Sequence, residues 1–94
     1  MLKVGVLQVQ LEIPWARSLK DKRSVVKSIK DKLRRRFNVS ITEFADQDTA
    51  TTAALGVVMA GSDTKYIVGA LEKFLAALGD WPEAQLADSQ IEVI

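Results

Sequence analysis

The sequence predicts an α+β fold in which two helices cover one face of a four-stranded antiparallel sheet. Four segments alternate apolar and polar residues at every second position, and two longer segments repeat apolar residues at the spacing of a helix. Their order along the chain is strand, helix, strand, strand, helix, strand. Because the chain has 94 residues, 48% of them hydrophobic, we expect a single domain over residues 1–94.

The first strand is predicted over residues 2–12 and is expected to be central, because both of its faces carry apolar side chains. One face holds Leu7, Val9 and Leu11, and the other holds Val4 and Val6. A proline two residues later ends the alternating pattern. Trp15, in the connection that follows, is expected to pack as core over the adjacent helix end rather than to stack on a base.

The first helix is predicted to begin after Ser18, which can cap its first turn, and to continue without Gly or Pro to Arg36. Residues 17–36 contain ten of the thirteen Lys and Arg residues and two of the twelve acids. This segment therefore carries a charge of +8 (10 − 2) and the remaining residues −7 (3 − 10), within a net charge of +1. The separation of charge is the clearest functional signal in the sequence.

Helical periodicity places the apolar and the basic residues of this helix on different faces. Beside the apolar stripe lies a row of five bases, here called the basic ridge: Lys20, Arg23, Lys27, Lys30 and Arg34. The ridge extends roughly 21 Å, long enough to follow several phosphates of a nucleic acid. Three further bases are predicted as auxiliary contacts: Lys22, Arg35 and Arg36. The alternative is a solvated helix face, although such faces usually mix both signs of charge.

The rest of the chain supplies three strands and a second helix. The strands are predicted over residues 39–44, 51–60 and 85–94, and the second of these is expected to be central because it is apolar on both faces. The helix is predicted to begin after Ser62 or Asp63 and to end at Gly79. Gly69 within it is expected to allow the close approach of a neighbouring element.

Acidic residues cluster between the second and third strands, at Glu43, Asp46 and Asp48. They could offer oxygen ligands to a divalent ion, but the segment lacks the glycine and the twelve-residue ligand spacing of a calcium loop. We therefore expect a solvated turn and no metal site.

This order of elements, joined by right-handed crossovers, is that of the ferredoxin-like βαββαβ sandwich. Two helices can cover only one face of the sheet, so one apolar set of the central strands is expected to face away from them. An exposed apolar face of this size favours self-association, and we predict a homodimer that pairs the open sheet faces.

The segment SLKDKRSVVKSIKDKLRRRFNVSITE, residues 18–43, followed by Asp46, Gln47, Asp48 and Thr49, closely resembles the YlxP-like proteins, a family of small bacterial proteins of unassigned function. The resemblance spans the whole chain and is most specific from Ser18 to Val39. It implies a ferredoxin-like fold. Because relatives tend to be encoded beside genes for translation initiation and ribosome maturation, it also implies a role near the ribosome or its RNA.

This chain departs from the family pattern in one loop. Relatives often continue after the Asp-Thr pair at 48–49 with Trp, Gln and Arg, whereas this chain has Ala50, Thr51 and Thr52. We therefore expect no base stacking and no positive charge from that loop.

The favoured function is an RNA-binding or ribosome-associated accessory protein that is not an enzyme and lays the basic ridge along phosphates. A conventional RRM is disfavoured, because the third strand lacks the aromatic residues that stack bases. The alternative is a protein-interaction module whose basic helix docks on an acidic protein surface, including that of a second copy.

An enzyme is the remote third function. The chain has no His and no Cys, so the commonest general base, the commonest metal ligand and any thiolate are missing, and we expect no catalytic residue, metal or cofactor. An acylphosphatase-like site would need Arg17 and Asn38 to hold a phosphate, yet the loop IPWARS has no glycine to bring backbone amides to it. Neither a secretion signal nor a membrane span is predicted, so we expect the cytoplasm.

Overall fold

A computed structural model describes all 94 residues and contains the six predicted elements in the predicted order. The boundaries of the strands differ from the predicted ones by at most one residue. The elements are β1 (Lys3–Glu12), α1 (Leu19–Arg36), β2 (Ser40–Ala45), β3 (Thr52–Gly61), α2 (Thr64–Gly79) and β4 (Gln85–Val93). Neither helix is long and apolar enough to cross a membrane.

The four strands form one antiparallel sheet in the order β2-β3-β1-β4. The central positions of β1 and β3 are confirmed, and the fold is the ferredoxin-like α+β sandwich. Leu7 pairs with Val57 on the face that the helices cover, and the next rung, Val6 with Val58, belongs to the open face. The register thus places one apolar set of each central strand on the helix-covered face and the other set on the open face.

A single core lies between the sheet and the two helices. Helix α1 packs against β2 and β3, and α2 packs against β1, β3 and β4. A Cβ atom on Gly5 would overlap the side chains of Ile67 and Leu71, so the glycine at this position lets α2 lie close to β1. The buried apolar side chains of the helices are Val25, Val26, Ile29 and Leu33 of α1 and Ile67, Leu71, Phe74 and Leu78 of α2.

The open face of the sheet is apolar on one part and polar on the rest. Phe44 is 49% exposed, and its ring lies over Gly56, where a Cβ atom would be 3.4 Å from the ring. Val4, Val6 and Val58 belong to the same face. Polar side chains cover the remainder: Gln8, Gln10, Asp88, Gln90 and Glu92. The apolar patch is therefore smaller than a whole sheet face.

Two residues have surroundings that differ from the predicted ones. Trp15 is 49% exposed, and its indole Nε1 donates a hydrogen bond to the Glu83 carbonyl at 2.8 Å, so it ties two loops together instead of packing as core. A Cβ atom on Gly69 would meet no heavy atom within 4 Å. The prediction that Gly69 admits a neighbouring element is therefore wrong.

Candidate nucleic-acid interface

Helix α1, which carries the basic ridge, is capped at its first turn. The Ser18 hydroxyl accepts a hydrogen bond from the Asp21 amide at 3.2 Å, and the Asp21 carboxylate accepts one from the Arg17 amide at 2.9 Å. Three arginines occupy the last turn, where the negative end of the helix dipole favours positive charge. The ridge therefore lies on a helix with stabilised ends.

Most of the ridge is exposed and free of acidic partners. Lys20 and Arg23 are exposed, Lys30 is half-buried, and none of the three has a carboxylate within ion-pair distance. A lysine with a partly covered aliphatic stem can still present its ammonium to solvent. These positive charges are therefore available to an external anion.

Arg34 already makes a hydrogen bond within the protein. Its side chain is exposed, but one terminal guanidinium nitrogen donates to the Ile41 carbonyl at 2.8 Å. This hydrogen bond ties the end of α1 to β2 and shows which way the ridge faces, since α1 lies over β2 and β3. The ridge follows the flank of α1 that is turned toward the edge strand β2.

Lys27 forms an ion pair with Asp31, the acid next to the ridge. Its Nζ lies 3.0 Å from Asp31 Oδ2, one helical turn later, and both side chains are largely exposed. The hydrogen bond from Lys27 lowers the pKa of Asp31 below its ordinary value, and the positive charges of Lys27, Arg35 and Arg34 act in the same direction. Asp31 therefore stays ionised and competes with an external anion for Lys27.

Lys22 is not a surface contact, and its prediction as an auxiliary site is wrong. The residue is fully buried, and its Nζ lies 2.8 Å from Glu43 Oε2, 2.6 Å from the Asp46 carbonyl and 3.1 Å from the Thr52 carbonyl. A buried ammonium requires such partners, because leaving it unpaired costs several kcal/mol. Periodicity could have revealed this role, since Lys22 precedes Val26, Ile29 and Leu33 by four, seven and eleven residues on the same stripe.

The acidic turn predicted between β2 and β3 is exposed at Asp46 and Asp48, whereas Glu43 belongs to β2 and pairs with Lys22. The Glu43 side chain is only 15% exposed and uses its carboxylate for Lys22. Asp46 adopts a left-handed backbone conformation (φ 60°), and its carboxylate accepts a hydrogen bond from Gln10 Nε2 at 3.0 Å. The connection between β2 and β3 is thus clamped onto α1 by a buried lysine.

The two remaining auxiliary residues differ from each other. Arg35 is exposed on the outer surface of α1. Arg36 lies on the flank turned toward α2, with its guanidinium carbon 5.4 Å from the centroid of the Phe37 ring. Arg36 therefore does not extend the ridge.

The structure also separates the two residues that an acylphosphatase-like site would bring together. Arg17 precedes the first residue of α1 and Asn38 follows its last, so the 18-residue helix separates them by about 27 Å. The two side chains cannot hold one phosphate between them.

The comparison with known families decides where this chain belongs. The model of the family described as "Protein of unknown function (DUF503)" matches residues 4–91. The chain belongs to the DUF503 family. It is 32% identical over 89 residues to a protein of Bacillus subtilis described as "Uncharacterized protein YlxP", covering 95% of this chain and 97% of that protein. The predicted resemblance to the YlxP-like proteins is confirmed.

Among solved structures, a de novo designed protein, Foldit4, is similar to this chain with a TM-score of 0.52 and 16% sequence identity. The match covers the whole of this chain and 94% of the designed one. At this identity the similarity concerns the fold alone.

Lys22 joins the two parts of this DUF503 chain on which its family resemblance rests. It belongs to the S-L-K-x-K-R segment at the start of α1, and it bonds to the backbone of Asp46 in the D-Q-D-T loop. Part of the specific sequence of the segment thus maintains a structural contact. The ridge residues Lys20 and Arg23 of the same segment have no such contact.

Proposed function

We propose that this DUF503 protein is a non-enzymatic accessory protein that binds RNA in the cytoplasm, at or near the ribosome, by laying its basic ridge along phosphates. The observation that supports this most is the set of unpaired positive charges on one flank of α1. Lys20 and Arg23, which are exposed, and Lys30, which is half-buried, span about 15 Å of a capped helix, and none of them has an ion-pair partner. A rigid row of bases can neutralise several phosphates without first having to become ordered.

The sheet is a poorer candidate for the RNA-binding surface. In an RRM, exposed aromatic residues of the central strands stack on bases. Here the open face of β3 carries Gly56, Val58 and Ala60, and the single aromatic residue of that face is Phe44 on the edge strand. The ribosome enters the proposal through the gene neighbourhood that the family resemblance implies.

The identity of the partner can be tested directly. The tagged protein is purified from bacterial cells at low salt, with and without nuclease, and the co-purifying molecules are identified. We expect ribosomal RNA or ribosomal subunits, lost on nuclease treatment. A protein partner that resists nuclease would instead support the alternative, a module that docks its basic helix on an acidic protein surface.

The role of the ridge can be tested by salt dependence and charge reversal. If Lys20, Arg23, Lys27 and Lys30 each neutralise one phosphate, the affinity for a single-stranded RNA should fall with a log-log salt slope of about −3. Lys27→Glu combined with Lys30→Glu should weaken binding at least about 100-fold and leave the melting temperature nearly unchanged.

The matched control places the same change of charge outside both the ridge and α2, as Lys3→Glu combined with Arg17→Glu. This variant should bind RNA within about threefold of the unmodified protein, because neither base belongs to the ridge. Equal losses in the two double variants would indicate a response to total charge and would remove the ridge from the mechanism.

We also propose a homodimer that pairs the open sheet faces, as the apolar residues left outside the core favour it. Val6 and Val58 lie directly opposite each other on the central strands, next to the exposed Phe44. Sedimentation equilibrium at micromolar concentration should give twice the monomer mass of 10.4 kDa, and Val6→Glu with Val58→Glu should restore the monomer. A dimer that persists in this variant would place the interface elsewhere.

A further inference from the structure

A groove between the end of α1 and the outer side of α2 gathers most of the positive charge that lies outside the basic segment. Outside residues 17–36 the chain has three bases, and two of them, Lys65 and Lys73, line this groove. Arg36 lines it from α1. None of the nine residues that line the groove is acidic, and one acid, Asp80, lines the adjoining depression.

The groove is separate from the basic ridge. Arg36 and Lys32 lie on the flank of α1 that faces α2, as the position of Lys32 over the Trp81 ring shows, with Nζ 5.6 Å from the ring centroid. Arg34, by contrast, reaches β2 on the opposite flank. The groove and the basic ridge therefore lie on opposite flanks of α1.

The positions of the three bases suit an extended anion. Lys65, Gly69 and Lys73 follow one another at intervals of four residues along one side of α2, so the Cα atoms of the two lysines are about 12 Å apart. Arg36 is held at the groove by its stacking on Phe37, whose ring contacts Phe74 edge-on with a centroid separation of 5.4 Å. A guanidinium fixed in this way can bind phosphate oxygens with less loss of side-chain freedom.

Gly69 leaves the floor of the groove open. A glycine within a helix costs about 0.5–1 kcal/mol relative to alanine, and no neighbouring atom explains its presence, because a Cβ atom at this position would meet nothing within 4 Å. Any side chain at position 69 would instead project into the groove between the two lysines. The open space of about 360 Å³ lies within the range of ~300–1,000 Å³ that is usual for small-molecule sites.

An aromatic residue completes the site. Tyr66 lines the groove and is 66% exposed, although aromatic side chains are usually more buried. A ring in this position can stack on a nucleobase, and such stacking is sequence-tolerant because every base has a flat π-face. Three cations for phosphates and one ring for a base together match the two chemical parts of a nucleotide.

From these observations we infer that the groove around Gly69 binds a nucleoside diphosphate, with the phosphates on Arg36, Lys65 and Lys73 and the base on Tyr66. The inference goes beyond the proposed RNA-binding ridge and does not rest on it. It assigns binding and no chemical step.

The probe is ADP, measured by isothermal titration calorimetry and by saturation-transfer NMR, with adenosine and pyrophosphate as partial ligands. We expect saturable binding of ADP with a Kd below about 1 mM, and weaker binding of either partial ligand. The absence of saturable ADP binding would overturn the inference. Pyrophosphate that binds as tightly as ADP would overturn the assignment to a nucleotide.

Substitutions then locate the site. Gly69→Leu should abolish ADP binding while the variant stays folded, because leucine is a better helix former and its side chain would enter open space. Arg36→Ala should weaken ADP binding about tenfold, and the matched Arg35→Ala, one residue away on the outer surface, should change it less than about twofold. Unchanged ADP affinity in folded Gly69→Leu would contradict the site.

Tyr66→Ala tests whether the base of the ligand, and not its phosphates, contacts the ring. It should weaken ADP binding at least about fivefold and leave pyrophosphate binding unchanged, since only the base contacts the ring. Equal losses for both ligands would contradict a stacking role.

The ridge and groove variants together distinguish this site from the ridge. Lys27→Glu with Lys30→Glu should reduce RNA binding, whereas ADP binding should respond to the groove variants. ADP binding lost in the ridge variant and retained in Gly69→Leu would assign the nucleotide to the ridge and overturn the inference.

Discussion

The inner and outer surfaces of α1 use basic residues in opposite ways. Lys22, on the inner surface, is fully buried, and its ammonium lies within 3.1 Å of one carboxylate oxygen and two backbone carbonyls. Arg23, the next residue, is exposed and has no acidic partner. Two adjacent bases with the same formal charge therefore contribute to different properties, one to the fold and one to the surface potential.

The difference follows from the cost of transferring charge out of water. A buried ammonium is tolerated only with close oxygen partners, and removing one member of such a group leaves the others unsatisfied. An exposed charge keeps its hydration and gains little from a single surface ion pair. Function at the surface therefore depends on charges that the fold does not use.

The largest expected effect concerns stability. Lys22→Met should lower the free energy of unfolding by about 3–5 kcal/mol, because the Glu43 carboxylate and the loop carbonyls would lose their buried partner. Urea denaturation followed by circular dichroism measures this change. Arg23→Met is the matched control and should lie within about 0.5 kcal/mol of the unmodified protein. Similar stabilities for the two variants would contradict the claim that Lys22 stabilises the fold and Arg23 does not.

The converse comparison concerns RNA. Arg23→Met should weaken binding to single-stranded RNA about fivefold and make the log-log salt slope less steep by about 0.7, the share of one phosphate contact. Fluorescence anisotropy across a range of salt concentrations measures both quantities. The control is Arg17→Met, an exposed base that precedes the helix, for which we expect less than a twofold change. A slope that does not change in Arg23→Met would exclude this residue from phosphate contact.

A smaller effect on RNA affinity is expected from Asp31, the acid next to the ridge. Asp31→Asn frees Lys27 and removes a negative charge from the ridge, so RNA affinity should rise about two- to threefold. The same substitution in a Lys27→Met background should give a smaller rise, since no ammonium is then released. Weaker RNA binding in Asp31→Asn would mean that the carboxylate orders the ridge instead of competing for it.

The smallest expected effect is the titration of Asp31 itself. Its lowered pKa in the folded protein means that its contribution to stability is present above about pH 3.9, the ordinary value, and is lost as the pH falls through the lowered one. NMR detection of the side-chain carboxyl carbon should give a midpoint below the ordinary value. Lys27→Met should move that midpoint upward, and an identical midpoint in both proteins would show that Lys27 is not the cause.

Much of the fold could be predicted from the sequence because periodicity is a local property. The alternation in β1 and β3 sorted Leu7 and Val57 from Val6 and Val58, and the small number of βαββαβ topologies then placed both strands at the centre of the sheet. The first cap could also be predicted, since Ser18 bonds to a backbone amide only three residues away.

The candidate site was predictable only in part, because charge alone does not reveal which partner a base will meet. Lys22 finds Glu43, Asp46 and Thr52, which are 21, 24 and 30 residues away, and Arg34 finds the Ile41 carbonyl across the space between helix and sheet. Neither contact follows from a pattern of neighbouring residues.

The sequence by itself determined the six elements, the two apolar faces of the central strands and the concentration of bases in α1, since each depends on residues within a few positions of one another. Only the tertiary structure decided which partners those bases meet, although periodicity alone places Lys22 on the apolar stripe of α1. Packing of α1 against the sheet buried Lys22, and the placement of α2 beside Phe37 brought Lys65 and Lys73 to Arg36. Burial and long-range proximity arise when separate elements dock, and docking determines whether a charge is neutralised inside the protein or remains free to bind another molecule.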